Sequence, residues 1–202
     1  HFLTIANEEK LKLQESDLKR KLNTGQFYRN LQLEKIVDFD ETTINKQYLF
    51  IVGMPRCGST LLESILSLNN EVKDMGEVLF LEESLQKSDD LLKVKKLYED
   101  EVKLIDSQKK IYTDKNLFNF LYCPIIYRLF PNARIIYCKR NPLDNILSIY
   151  RTNFLNQSFS SSLKDIAELY LYHLELMDDY KKKYGSIIYL SLIHISEPTR
   201  LT

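Results

Sequence analysis

The stretch FIVGMPRCGSTLLESIL, residues 50–66, decides the fold. It continues a short apolar run, Tyr48-Leu-Phe-Ile-Val52, that ends at Gly53 and reads as a buried strand. From Ser59 onward, Leu61, Leu62, Ile65, Leu66 and Leu68 recur at helical spacing. The expected order is therefore strand, tight turn, helix. Backbone N–H groups at such a helix start cradle an anion, and the helix dipole favours negative charge there. Gly53 and Gly58 let the chain turn tightly and approach a ligand. The spacing is that of a nucleotide-binding phosphate loop, with one departure: Ser59 stands where an NTPase carries lysine. That lysine neutralises the β- and γ-phosphates in NTP chemistry. Here the positive charge is Arg56, inside the loop. An anion site is kept, and the means of handling a triphosphate is not.

Working outward, residues 1–40 are polar and charged, and LKLQESDLKRKL (11–22) reads as an exposed helix. Residues 77–86 and 91–106 read as helices, and Ile111-Tyr-Thr113 as a short strand. A helix over 116–130 is interrupted or restarted near Pro124. Ala133–Cys138 is a second buried strand. Asn141-Pro142 is an N-cap followed by proline at the first helical position, opening a helix to about Arg151. A long helix over 162–183 carries Ile166, Leu169, Tyr170, His173, Leu174 and Met177 on one stripe, which makes His173 a core or boundary residue rather than a base. Ile187–Tyr189 begins a third strand. Strand–helix alternation of this kind predicts an α/β fold: a P-loop-type parallel sheet flanked by helices, incomplete at the C-terminus. Ligands bind such sheets at the carboxyl ends of their strands.

Composition narrows the function. The 202 residues carry 28 Lys+Arg against 28 Asp+Glu, so no global basic excess points to nucleic acid. No apolar run reaches the roughly 18 residues that span a bilayer. Cys57, Cys123 and Cys138 are an odd set without metal-ligand or disulfide spacing, which favours a reduced, cytoplasmic setting and no metal. The chain begins with His1, and residues 190–200, LSLIHISEPTR, look like one translated frame of a transposon-end sequencing adapter. The expected organisation is a helical lead-in over 1–47, a partial catalytic domain over 48–189, and a non-native tail over 190–202, in which His194 carries no functional weight.

The phosphate loop resembles that of sulfotransferases that use 3′-phosphoadenosine 5′-phosphosulfate (PAPS). GMPRCGST follows a strand, as their 5′-phosphosulfate loop does, and ARIIYCKRNPLDNILS (133–148) matches their second element, a strand with Arg140 and, eight residues on, Ser148. The resemblance covers roughly residues 48–189. It implies that Arg56, Cys57, Gly58, Ser59 and Thr60 hold the 5′ side of the donor, and that Arg140 and Ser148 bind its 3′-phosphate. The guanidinium fork of Arg140, just past a strand end, suits phosphate oxygens. Cys57 reads as a small residue permitted by the loop. EVKDMGEVLF (71–80) and YTDKNLFNFLY (112–122) look like the tyrosylprotein-type and bacterial repeat-containing branch. That likeness implies Glu77 as general base and Lys115 as the cation that stabilises the transferring group. Taken alone, Glu77 reads first as a helix N-terminal charge, and Asp114-Lys115 reads equally as an exposed ion pair. One departure is Thr152, where tyrosylprotein enzymes carry a further donor-binding arginine; Arg151 precedes it by one residue.

The function expected is transfer of a sulfuryl group from PAPS to an acceptor hydroxyl on a glycan, a small alcohol or a peptide tyrosine. The resemblance implies no metal, and a C-terminal donor-covering loop absent from this sequence, so the polypeptide as written is expected to be inactive. The alternatives are a P-loop kinase or NTPase, against which Ser59 argues, and a non-catalytic nucleotide-binding module.

Overall fold

A computed structural model describes residues 2–31, 46–105 and 108–191. Helices α1 (Phe2–Leu13) and α2 (Leu18–Asn30) precede the sheet. Then follow β1 (Gln47–Gly53), α3 (Ser59–Leu66), β2 (Val72–Asp74), α4 (Phe80–Lys87), α5 (Leu91–Ile105) and β3 (Ile111–Asp114). A 3₁₀ segment (Leu117–Tyr122) runs into α6 (Cys123–Leu129), followed by β4 (Arg134–Cys138), α7 (Pro142–Tyr150), a second 3₁₀ turn (Ser158–Ser161), α8 (Leu163–Tyr184) and β5 (Ile188–Ser191).

The five strands form one sheet in the order β2-β3-β1-β4-β5, every neighbouring pair parallel. The α/β parallel sheet expected from the sequence is the observed architecture. Parallel strands are covered on both faces, and β1 shows why this one is stable. Tyr48, Phe50 and Val52 face a large aromatic core, while Ile51 faces a smaller cluster with Cys57, Leu62, Leu117 and Cys138. Phe50, Ile51 and Val52 are fully buried. On the larger side the rings of Tyr48, Tyr98 and Phe130 meet at 5.0–5.4 Å between centroids, a separation at which aromatic pairs attract.

Topology positions the site. From β1 the chain crosses to the β2 edge, returns through β3 and then passes to β4 on the other side of β1. The carboxyl ends of β1 and β4 thus lie side by side where the winding reverses, with Gly53 paired to Cys138. Along that edge the turns after β2, β3, β1 and β4 are consecutive neighbours.

Several elements differ from the sequence expectation. The predicted helix over 11–22 is two helices, broken between Leu13 and Leu18, where Asp17 turns to bond the Ser158 hydroxyl and the Phe159 N–H. The apolar residues over 61–68 do not form one buried face: Leu62 of α3 points inward, whereas Leu61, Ile65 and, beyond the helix, Leu68 are exposed. The helix expected over 116–130 restarts near Pro124 as read, but its first half is 3₁₀, opened by Asn116, which accepts the Phe118 N–H. Strand β2 has no counterpart in the sequence reading; three residues, Val-Lys-Asp, carry too little pattern. Strand β5 extends through Leu190 and Ser191, the first two residues of the stretch read as a tail. The remainder of that stretch, residues 192–202, lies outside the described residues, as do 32–45 of the lead-in. No helix among the described residues is long and apolar enough to cross a membrane.

Candidate functional site

The loop between β1 and α3 has the backbone of an anion cradle. Gly58 caps α3 with φ 91°, and Arg56, a residue with a Cβ, also lies in the left-handed region at φ 67°. That conformation costs a non-glycine residue about 1–2 kcal/mol, and it is held from outside. The buried Asn145 side chain of α7 donates to the Pro55 carbonyl at 2.8 Å, and one guanidinium N–H of Arg140 donates to the Arg56 carbonyl at 3.0 Å. Arg140 is fixed in turn, since the Tyr170 hydroxyl of α8 donates to its carbonyl at 2.8 Å. Asn141 caps α7 as expected, accepting the N–H groups of Leu143 and Asp144.

The structure brings the two predicted phosphate elements together. Arg56 Nε donates to Ser148 Oγ at 3.3 Å, and Arg56, Arg140, Ser148 and Arg151 line one open pocket of about 380 Å³. Three guanidinium groups face it, with Asp144 also on its wall. Thr152 lies there too, its hydroxyl committed to the Ser148 carbonyl. Three arginines and a serine form a donor set suited to phosphate or sulfate oxygens.

A second cleft of about 270 Å³ adjoins it, lined by Arg56, Ser59, Thr60, Glu77, Leu117 and Phe118 among others. Glu77 reaches this cleft from the turn after β2, in which Gly76 adopts φ 69°. Lys115 follows β3. It is not an exposed partner of Asp114: it is buried, with its ammonium 3.0 Å from Glu77 Oε1 and 3.7 Å from Glu63 Oε2. Glu63 was missed in the sequence. It is buried on the inner face of α3, accepting the Thr113 hydroxyl at 2.7 Å and the Gly76 N–H at 3.2 Å. The available signal was a charge on the stripe Ser59, Leu62, Glu63, Leu66.

Asp114 is fully buried beneath the same turn, accepting from Tyr98 Oη, the Asn116 N–H and Asn119 Nδ2. Burial lifts its carboxyl to about 7, against the pull of those donors. Cys57 is buried rather than open to the cleft. Its hydrogen bond with Cys138 and donors at Ser59 hold its thiol below the ordinary value, while the same contact and burial push Cys138 up. His173 is a core residue, packed edge-on to Phe120, Tyr137 and Tyr170, and burial drops its imidazole to about 3. The far cleft wall rests on α1 and α2. The Lys21 ammonium sits 3.6 Å from the Phe118 ring centroid, a cation–π distance, and Lys10 donates to the carbonyl of Phe154.

Residues 48–106 and 91–192 match a family model described as "Sulfotransferase family". The chain belongs to that family. A similar curated protein is an uncharacterized protein of Aquifex aeolicus (strain VF5), 31% identical over 172 residues. The match covers 72% of this chain and 23% of that protein, so the chain spans about a quarter of its relative's length.

Proposed function

We propose that the paired clefts at the carboxyl edge bind PAPS and transfer its sulfuryl group to an acceptor hydroxyl. The observation that carries this is the wiring of the two arginines: Arg140 bonds the Arg56 carbonyl while Arg56 reaches Ser148. A ligand bound at one anion loop is thereby read by the other, as a donor with phosphate groups at both ends of a nucleoside requires.

PAPS, when bound, supplies an activated sulfuryl group on a phosphate leaving group. Arg140, Ser148 and Arg151 hold the 3′-phosphate. Arg56, Ser59, Thr60 and the N–H groups at Cys57 and Gly58 hold the 5′ side, with the α3 dipole aligned on the negative charge. Glu77 takes the proton of the acceptor hydroxyl as the acceptor oxygen bonds to sulfur; general base catalysis of this kind is worth about 10²–10⁴ in rate. The bond from sulfur to the phosphate oxygen breaks, and Lys115 stabilises the charge left on that oxygen. Such transfers pass through a loose, in-line transition state, so positioning and electrostatics carry the catalysis. Glu77 and Lys115 form an ion pair before the acceptor arrives; once protonated, Glu77 releases the ammonium toward the leaving oxygen. The acceptor lies against Leu117, Phe118 and Phe154, an apolar and aromatic wall compatible with a sugar ring, a small alcohol or a peptide tyrosine. The turns carrying Gly76-Glu77 and Asp114-Lys115 favour the tyrosylprotein-type or bacterial repeat-containing branch. A cytoplasmic setting fits the three free cysteines.

Calorimetry on the full-length native chain tests the donor. Binding of 3′-phosphoadenosine 5′-phosphate (PAP) far tighter than AMP is expected. Tight MgATP binding with no preference for the 3′-phosphate would favour a kinase or NTPase and overturn the reading.

A further inference from the structure

Lys115 is flanked by two carboxylates of opposite character. Glu77 is largely open to the cleft; Glu63 is nine-tenths buried and shielded from it. Taking a carboxylate out of water costs several kcal/mol unless it is paired and hydrogen-bonded. Glu63 meets that condition by contacting three residues at once, at the ends of β2 and β3. Its Oε1 accepts from Thr113 on β3 and from Gly76 after β2, and its Oε2 faces Lys115. The Gly76 carbonyl in turn accepts the Lys115 N–H at 2.8 Å. One side chain of α3 therefore fixes the turn that presents Glu77 and the lysine beside it.

We infer that Glu63 is a positioning residue for sulfuryl transfer, serving as the permanent counter-charge of Lys115. The inference rests on the proposed roles of Glu77 and Lys115. When Glu77 accepts the acceptor proton it becomes neutral, and Lys115 loses its nearer partner. Glu63 is out of the acceptor's reach and stays anionic. Its charge keeps the buried ammonium paired while the lysine turns to the leaving oxygen. The unequal distances suit that role, because the ammonium lies closer to the carboxylate it must release than to the one it keeps.

The test is Glu63→Gln in the full-length native chain. The amide oxygen still accepts from Thr113 and Gly76, so the turn is kept and only the charge beside Lys115 is lost. Turnover is expected to fall on the order of 10- to 100-fold, with KM for PAPS, PAP affinity and the unfolding midpoint little changed. Glu63→Asp, which retains the charge, is expected to recover part of the turnover. In a Lys115→Ala background, adding Glu63→Gln is expected to leave kcat unchanged, because the charge then has nothing to act on. Wild-type kcat in Glu63→Gln, or an undiminished further loss in the Lys115→Ala background, overturns the inference. If Glu63→Gln does not fold, Glu63→Asp decides, and turnover no better than that of Glu63→Ala overturns it. A wild-type chain that transfers nothing from PAPS instead overturns the functional reading and, with it, the role drawn from it.

Discussion

The two edges of the sheet both carry basic clefts, and the contrast separates charge from a site. At the amino edge, Lys46, Lys110 and Arg134 border a cleft of about 470 Å³, larger than either cleft at the carboxyl edge. A carboxylate shares its wall: Lys110 pairs with Glu71 at 2.9 Å, while Lys46 lies 4.8 Å from the Tyr112 ring centroid and Arg134 donates to the Ala133 carbonyl. Strands begin there and helices end, so the helical backbone presents carbonyls and partial negative charge. At the carboxyl edge α3 and α7 begin, and α3, whose first turn has no side-chain cap, opens beside Arg56 and Arg140. Cations make an anion site only where the backbone field agrees with them.

Five variants put that contrast to the test. Of these, Lys115→Ala has the largest expected effect. It removes the cation of the carboxyl-edge site, lowering turnover by about 10²–10³, and strands the buried Glu63 carboxylate at about 3–5 kcal/mol. Steady-state kinetics and denaturant unfolding read the two losses separately.

Next comes the buried acid beneath the site. Asp114 has a folded-state value of about 7, raised from 3.8. The folded chain therefore binds more protons between those values, and the contribution of Asp114 is full below the lower one and lost as pH rises through the upper. Asp114→Asn removes the titration. Its stability relative to wild type should improve by about 4 kcal/mol between pH 4 and pH 8, followed by urea unfolding across that range. A constant difference would mean that Asp114 ionises normally.

Arg140→Ala is expected to weaken PAP binding by about 1.5–3 kcal/mol, the worth of hydrogen bonds to a charged group. The smallest effect belongs to the amino edge. Lys46→Ala and Arg134→Ala should leave PAP affinity within about twofold, since charges beyond a Debye length are largely screened. A loss at Arg134 comparable to that at Arg140 would erase the distinction between the edges.

What the sequence made legible follows from where the information is local. The strand, the glycine turn and the helix over 50–66 are contiguous, and Arg56, Gly58 and Ser59 can be read in one glance. Asn141-Pro142 announces the start of α7 in the same way, and helical spacing puts Ser148 two turns on. The supports are not local. Asn145 and Tyr170 act on the carbonyls of Pro55 and Arg140, and nothing in their own neighbourhoods marks them. Glu63 hides for a related reason: a glutamate among exposed leucines reads as ordinary helix surface until β2 and β3 arrive beside it. Asp114 and Lys115, adjacent in sequence, look like partners, yet alternation along the chain end sends them to different neighbours, Tyr98 and Glu77. The broken helix pair α1–α2 was likewise invisible, because Asp17 leaves helical geometry for contacts with Ser158 and Phe159 far along the chain.

The most direct test compares turnover and binding in one variant. Full-length native chain carrying Glu77→Gln is titrated with PAP and assayed for sulfuryl transfer from PAPS to a panel of hydroxyl acceptors. PAP affinity within about twofold of wild type is expected, with turnover reduced by about 10²–10⁴, the worth of a general base. Turnover equal to wild type would contradict that role.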